Sequence, residues 1–307
     1  MWIIVLLIIL ALMVLGFYLL FYYMMENYIT DANHNDLKDI GVSQKSFIGL
    51  HIKGTPLDDL QAKLLFVRKT SYKGLIVFAP DKNFSFYFYL PFLVAICRQG
   101  YLILSYQSQQ STMNKMPEEF KQILTYIQDD ATLASYPLTL MGHGSGAYTV
   151  TQALQYTDIQ TKAIALSIPE NEYDAFIHYV EKRLGFSNEL LRTLLLKLFK
   201  KYYPLPKAFE KPLVHSCLLI SGRNHSGYLS VDENNFMHLD IHLPKNKGHH
   251  LYLSANSEAY LEKMIHYLAD PQTSQFDYDK ALREFDINIL TQLDTEIMQL
   301  ISTFLEQ

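Results

Sequence analysis

Five short, uninterrupted apolar runs recur along the middle of this chain. They begin at Gly74, Tyr101, Leu138, Lys162 and Cys217. Runs of this length suit strands that are buried on both faces of a parallel sheet, and helix-length stretches separate them. Such alternation predicts right-handed βαβ units and therefore an α/β fold with a doubly wound, mostly parallel sheet.

The other elements are predicted from the same periodicities. They are antiparallel strands over 47–52 and 62–68, helices over 84–98, 117–130, 146–156, 255–269 and 285–306, and a last strand over 238–244.

The first 25 residues form a different kind of segment. From Met1 to Met25 every residue except Gly16 is apolar, and 24 helical residues would cover about 36 Å, enough to cross a bilayer. No Lys or Arg precedes the run, so an anchor is favoured over a cleaved signal peptide. A buried core helix is the alternative, but such a helix is rarely apolar on every face. We predict a transmembrane helix over 2–25 and a polar tether over 26–46.

Charge and composition exclude several classes of protein. The net charge of −5 gives no indication of the basic surface that binds nucleic acid. The 22 Tyr and 18 Phe residues exclude intrinsic disorder for the bulk of the chain. Cys97 and Cys217 stand far apart without the spacing of a metal site. Lys38 and Lys45 follow the apolar segment. Because lysines are enriched on the cytoplasmic side of membranes, they weakly favour a cytoplasmic location for the chain after this segment.

A Leu/Lys-rich stretch interrupts the predicted sheet between its fourth and fifth buried strands. We interpret residues 171–210 as a helical lid inserted into a domain that spans 47–307. A helix lying on the membrane surface is the alternative for this stretch.

The passage Gly142-His143-Gly144-Ser145-Gly146 joins a predicted strand to a predicted helix. Small residues at this spacing allow a tight turn that lifts one side chain above a sheet. The passage resembles the nucleophile elbow of the α/β-hydrolase family, which reads Gly-His-Ser-x-Gly. Segments 73–80, 99–108, 212–225 and 247–250 follow the family's order of strands and loops, so the resemblance covers about residues 45–270.

The resemblance implies a serine-hydrolase site, from which two groups are missing. The nucleophile position falls on Gly144 and the acid position on His225, whereas the base is retained as His249, with His250 as a neighbouring candidate. A serine hydrolase needs a nucleophile, a base and an acid. We therefore predict a membrane-anchored α/β-hydrolase-like protein with impaired or lost activity.

An active serine hydrolase is the alternative. If the turn shifts by one residue, Ser145 becomes the nucleophile, His249 the base, and Glu170 or Asp232 the acid, in an esterase, lipase or peptidase. In the unshifted frame the Ser145 N–H belongs to the oxyanion site and its hydroxyl caps the helix. A backbone N–H of Asp81 or Lys82 would supply the second oxyanion donor.

The remaining predictions concern ligands and location. No cofactor or metal site is predicted, because neighbouring His249 and His250 would point apart and Gly142-x-Gly144 lacks the rest of a dinucleotide fingerprint. The predicted partners are the membrane, a small-molecule or lipid acyl substrate if the site is active, and another protein if it is not. Resemblance to anchored surface hydrolases favours an extracytoplasmic, single-pass arrangement.

Overall fold

The computed structural model divides the chain into two compact units. The first comprises Met1–Asn35 with Asn171–Pro206, and the second comprises Asp36–Glu170 with Lys207–Gln307. The structure describes residues 2–31, 48–51, 60, 62–82, 84, 86–108, 113–155, 157, 160–168, 172–185, 188–202, 215–222, 239–244, 247–268, 289 and 292–307.

Eight strands in the described part of the second unit form one sheet. Its spatial order is β1-β2-β4-β3-β5-β6-β7-β8. The first two pairings, β1 with β2 and β2 with β4, are antiparallel, and all later pairings are parallel. This confirms the predicted mostly parallel α/β sheet. The strands are β1 Ile48–His51, β2 Lys63–Phe66, β3 Gly74–Ala79, β4 Tyr101–Ser105, β5 Leu138–His143, β6 Thr161–Leu166, β7 Cys217–Ile220 and β8 Leu239–His242.

Helices cover both faces of this sheet. Ile76 and Phe78 of β3 belong to a buried apolar cluster that includes side chains of α2, α7 and α8. The alternate residues Leu75 and Val77 point to the opposite face, where α3 contacts α4, and α4 contacts β5 and β6. The helices of this unit are α2 Leu90–Arg98, α3 Met116–Asp129, α4 Ser145–Leu154, α7 Ala255–Leu268 and α8 Thr295–Glu306, with short 3-10 turns at Phe86–Tyr89 and Leu133–Ser135.

Strands β3 and β5 run side by side, and this pairing positions the candidate site. Ala79 at the end of β3 is the register partner of Gly142 near the end of β5. The chain order reverses here, because β4 and β5 lie on opposite sides of β3. The loops at the carboxyl ends of such neighbouring strands form the usual ligand crevice of an open α/β sheet.

The first unit contains the amino-terminal helix and two helices from the predicted lid. They are α1 Trp2–Asp31, α5 Glu172–Leu184 and α6 Glu189–Tyr202. The side chains that the structure describes on α1 are those of residues 10–25. Within the described part of the chain, no helix is both long and apolar enough to cross a membrane.

Two elements differ from their predicted boundaries. Helix α1 continues to Asp31, six residues past Met25, into the segment predicted as a tether, and residues 32–46 lie outside the described structure. The predicted helix over 285–306 is wrong in its described first part. Leu293 forms a bridge with Leu253, and Asp294 then caps α8 by accepting a hydrogen bond from the Ile297 N–H, so the helix begins at Thr295.

Candidate functional site

A single glycine forms the turn between β5 and α4. The strand ends at His143 and the helix begins at Ser145, while Gly144 has φ 56° and ψ −123°. This left-handed backbone conformation favours glycine. A Cβ on Gly142 would lie 2.3 Å from the Gly146 carbonyl oxygen, so the close crossing of strand and helix also requires a small residue there. The predicted strand, turn and helix are present, with Gly144 at the apex.

The carboxylate of Asp81 fills the space that a side chain on residue 144 would occupy. A Cβ built on Gly144 would lie 1.9 Å from Asp81 Oδ2 and 2.8 Å from Asp81 Cγ. Asp81 follows β3 across Pro80, and its side chain is 6% exposed. Residue 144 can therefore be only glycine while Asp81 keeps this position.

Backbone donors around the turn are used by the protein's own groups. The Ser145 N–H donates to Asp81 Oδ2 over 3.0 Å, and the Lys82 N–H donates to Ser145 Oγ over 2.8 Å. The Asp81 N–H donates to the Tyr89 hydroxyl over 3.2 Å. Because Ser145 opens α4, the amino-terminal end of the helix dipole also favours the carboxylate.

His249 lies on the other side of the same carboxylate. Its Nε2 is 3.6 Å from Asp81 Oδ2, and its side chain is 24% exposed. Glu258 of α7 holds the loop that carries this histidine, because it accepts hydrogen bonds from the N–H groups of Gly248, at 3.0 Å, and His250, at 2.7 Å. The base that the sequence predicted therefore faces a carboxylate rather than a hydroxyl.

A hydrogen-bonded chain ties His143 to both loops. The Tyr89 hydroxyl lies 2.9 Å from His143 Nδ1, and His143 Nε2 lies 2.8 Å from the His249 carbonyl oxygen. A carbonyl oxygen can only accept, so Nε2 carries the proton and Nδ1 accepts from Tyr89. His143, which is fully buried, is thus a structural link between the Asp81 loop and the His249 loop.

Burial keeps two tyrosines of this site protonated. Burial raises the pKa of Tyr89 well above 10.0 and nearby Asp81 raises it further, while the hydrogen bond from the Asp81 backbone acts in the opposite direction. Burial likewise raises the pKa of Tyr252, with smaller contributions from Tyr89, Asp81 and Glu258. Tyr89 therefore remains a donor to His143 across the physiological pH range.

His250 points into an aromatic cluster. Its ring stacks on His143 at a centroid distance of 5.2 Å and meets Phe84 edge to face at 4.7 Å. The ring also contacts Phe88 and Tyr252. His250 is 4% exposed, so it packs against the loop after β3, whereas its neighbour His249 faces Asp81.

Asp81, His143 and His249 could together supply three metal ligands. One ligand atom from each lies within 4.8 Å of the other two. Both ring nitrogens of His143 take part in the hydrogen bonds described above, with Tyr89 and the His249 carbonyl. A cation would therefore have to displace one of these bonds to be coordinated by all three residues.

The structure brings together some of the predicted site residues. Ser145 and His249 contact Asp81, whereas His250 packs in the aromatic cluster. The Ser145 hydroxyl accepts from Lys82 rather than capping α4, whose cap is Gly144 without a side-chain bond. The other predicted candidates, Glu170, Asp232 and His225, lie outside the described residues.

Sequence reasoning misses the side chain of Asp81 and the role of Tyr89. It identifies the loop after β3 as a source of backbone donors, but it overlooks the carboxylate on the same residue. The sequence does contain a hint of the role of Asp81. A nucleophile position without a side chain leaves a volume that another residue must fill, and Asp81 is the acidic residue of the neighbouring loop.

No family model and no curated protein sequence matches the chain. Among solved structures, an esterase of Pyrococcus furiosus is similar at 12% identity, with 73% of this chain and 88% of that chain covered and a TM-score of 0.49. A carboxylesterase of Bacillus subtilis is similar at 13% identity over 82% and 98% of the two chains, with a TM-score of 0.43. A laboratory-evolved potato epoxide hydrolase is similar at 11% identity over 71% and 98%, with a TM-score of 0.44.

Proposed function

We propose that this chain is an α/β-hydrolase-like protein that lacks serine-hydrolase activity and serves as a binding domain attached to a membrane. The observation that carries the proposal is the 1.9 Å approach of Asp81 Oδ2 to the Cβ position of residue 144. In a serine hydrolase the attacking hydroxyl would stand at this turn. Here its place is taken by a carboxylate that comes from another loop.

The hydrogen bonds of the site add a second obstacle to serine chemistry. Attack on a carbonyl develops negative charge on its oxygen, which backbone N–H groups must stabilise. The Ser145 N–H already donates to Asp81 Oδ2. A second unit charge about 4 Å from the carboxylate would be repelled by about 4 kcal/mol at an effective dielectric constant near 20.

A binding role is supported by how firmly the loops of the site are fastened. Tyr89, His143 and Glu258 hold the loops of Asp81 and His249 through buried and partly buried hydrogen bonds. The loops at the carboxyl ends of the strands are therefore held in place, although the catalytic groups that acyl transfer requires are missing.

Attachment to a membrane is supported by the apolar side chains of α1. Residues 1–25 hold no charged side chain, and large apolar side chains on the described part of this helix are exposed. They are Leu10, Leu12, Met13, Val14, Leu15, Leu19 and Leu20, at 43–67%. Apolar side chains exposed on a helix in this density favour lipid over water.

A fluorophosphonate probe tests the loss of activity. We expect the full chain in detergent to remain unlabelled, with the same low background in Ser145→Ala, while an active serine hydrolase in the same sample is labelled. Labelling that disappears in Ser145→Ala would instead establish the active arrangement with Ser145 and His249.

A further inference from the structure

The uncovered part of α1 is apolar around its whole circumference. At 100° per residue, Leu10, Leu12, Val14, Leu15 and Leu20 point in five separate directions, and each is at least 43% exposed. A protein partner or a second copy of the chain would cover one side of such a helix. Lipid covers every side, so charge-free lipid chains are the occupant that fits.

Helices α5 and α6 cover α1 further along. Phe21 is 2% exposed, and its ring meets Phe176 of α5 edge to face at 5.9 Å. Phe176 in turn stacks on Phe199 of α6 at 4.3 Å. Met24 and Met25 belong to the same buried cluster. Phe21, Met24 and Met25 therefore lie on the side of α1 that α5 and α6 cover, while Tyr22 and Tyr23 on the other side are 61% and 65% exposed.

Two lysines of α6 lie beside tyrosine rings near the covered side of α1. The Tyr202 ring is 6.4 Å from the Phe21 ring of α1. Lys201 Nζ lies 5.5 Å from the centre of the Tyr202 ring, and Lys200 Nζ lies 5.3 Å from the centre of the Tyr173 ring. Both lysines are exposed, and among the described residues neither forms an ion pair with a carboxylate.

We propose that Lys200, Lys201, Tyr173 and Tyr202 form a headgroup site that binds anionic lipid beside α1. The inference rests on the lipid contact of α1 in the proposed function. Tyrosine is typical of the membrane–water interface, and lysines beside it attract anionic headgroups. The proposal places α6 at the membrane surface. For residues 171–210 the sequence left this open as the alternative to a lid.

Bromolipid quenching of a single tryptophan tests the site. Trp2 is the sole tryptophan, so Trp2→Phe with Tyr202→Trp moves the fluorophore to the proposed site and keeps an aromatic ring there. The full chain is reconstituted in bilayers of phosphatidylcholine and phosphatidylglycerol in which one or the other lipid is brominated. We expect phosphatidylglycerol to be enriched at least about fivefold at the tryptophan, because each of the two lysines near an anionic surface contributes up to about that factor.

Replacing the two lysines with neutral residues tests whether they cause the enrichment of anionic lipid. In Lys200→Gln/Lys201→Gln, and in the parent at 1 M salt, we expect the enrichment to fall to about one. Lys121→Gln, a matched change at an exposed lysine of α3, should leave it unaltered. Equal quenching by both lipids in the parent, or enrichment that survives the double substitution, would overturn the headgroup site while leaving the anchor in place. If neither lipid quenches the tryptophan, the lipid contact itself is overturned. The same result is expected if a second copy of the chain covers this surface.

Discussion

Asp81 Oδ2 lies 1.9 Å from the position that a Cβ on residue 144 would take. The two residues are 63 positions apart in the sequence, but they follow the neighbouring parallel strands β3 and β5. The carboxylate and the missing side chain are therefore complementary. A side chain at residue 144 therefore requires Asp81 to move or to be replaced.

Gly144→Ala should destabilise the protein strongly, and Asp81→Gly should relieve part of the loss. We expect the single substitution to cost about 3 kcal/mol, because a methyl group would overlap a buried carboxylate and the backbone at φ 56° disfavours a side chain. In the Asp81→Gly background the cost should be at least about 1.5 kcal/mol smaller. Urea unfolding of the four chains measures this coupling.

The control for the backbone contribution is Gly185→Ala. Gly185 has φ +71°, and no atom lies within 4 Å of the position that a Cβ would take there, so strain acts without a clash. We expect a cost of about 1 kcal/mol. Costs at 144 and 185 that are equal, or additive effects of Gly144→Ala and Asp81→Gly, would contradict the proposed overlap.

Tyr89 should make the protein sensitive to alkali. Its pKa in the folded state is raised above 10.0, mainly by burial, so above pH 10 the unfolded chain releases a proton that the folded chain keeps. The stabilisation is complete below pH 10 and is lost as pH rises, by about 1.4 kcal/mol per pH unit for this group. The stability advantage of the native chain over Tyr89→Phe should therefore shrink between pH 10 and pH 11.5.

Urea unfolding at several pH values measures this difference. Tyr106, whose pKa burial also raises, provides a second buried tyrosine, and Tyr106→Phe should give the same trend. An advantage over Tyr89→Phe that stays constant up to pH 11.5 would mean that Tyr89 ionises normally in the folded protein.

Lysines in the exposed part of α1 should release the chain from membranes. Leu15 and Leu19 are 54% and 63% exposed, and a lysine at the centre of a membrane helix costs about 2.5–3.5 kcal/mol. We expect alkaline carbonate to extract Leu15→Lys/Leu19→Lys and to leave the native chain in the membrane pellet. Leu190→Lys, at an 80% exposed position of α6, is the control that should stay in the pellet. Extraction of the native chain would refute the anchor.

We propose that the second unit lies on the cytoplasmic side, contrary to the extracytoplasmic arrangement that the family resemblance favours. The fold adds Lys200 and Lys201 to the end of α1 that Lys38 and Lys45 follow in sequence, and lysines are enriched on that side. A membrane-impermeant maleimide should label Lys121→Cys in permeabilised cells and leave it unlabelled in intact ones. The native Cys97 and Cys217 are buried, and burial raises the pKa of both thiols to about 12, so the native chain serves as the blank. Equal labelling of intact cells would place the unit outside.

The sheet could be predicted from the sequence because each buried strand is a local apolar run. The turn at Gly144 and the loop of His249 also followed from local patterns of small residues and histidines. The start of the last helix at Thr295 is missed although Asp294 is a local capping residue, whereas the pairing of Leu293 with Leu253, forty residues away, has no local signal.

The position of Asp81 depends on tertiary register rather than on a local pattern. Its carboxylate reaches the turn because Ala79 pairs with Gly142 and because Tyr89 and the amino-terminal end of α4 hold its loop. The packing of α6 against α5 likewise depends on Phe199 meeting Phe176, a contact that helical periodicity does not specify.

Fluorophosphonate labelling of Gly144→Ser and of Asp81→Gly/Gly144→Ser tests most directly whether Asp81 occupies the nucleophile's place. The intact mass and the modified residue are determined for both variants and for the native chain. We predict no adduct on the native chain or on Gly144→Ser, and an adduct at residue 144 once Asp81→Gly frees the space and the Ser145 N–H. An adduct on Ser145 of the native chain, or labelling of Gly144→Ser that Asp81→Gly does not increase, would contradict the account.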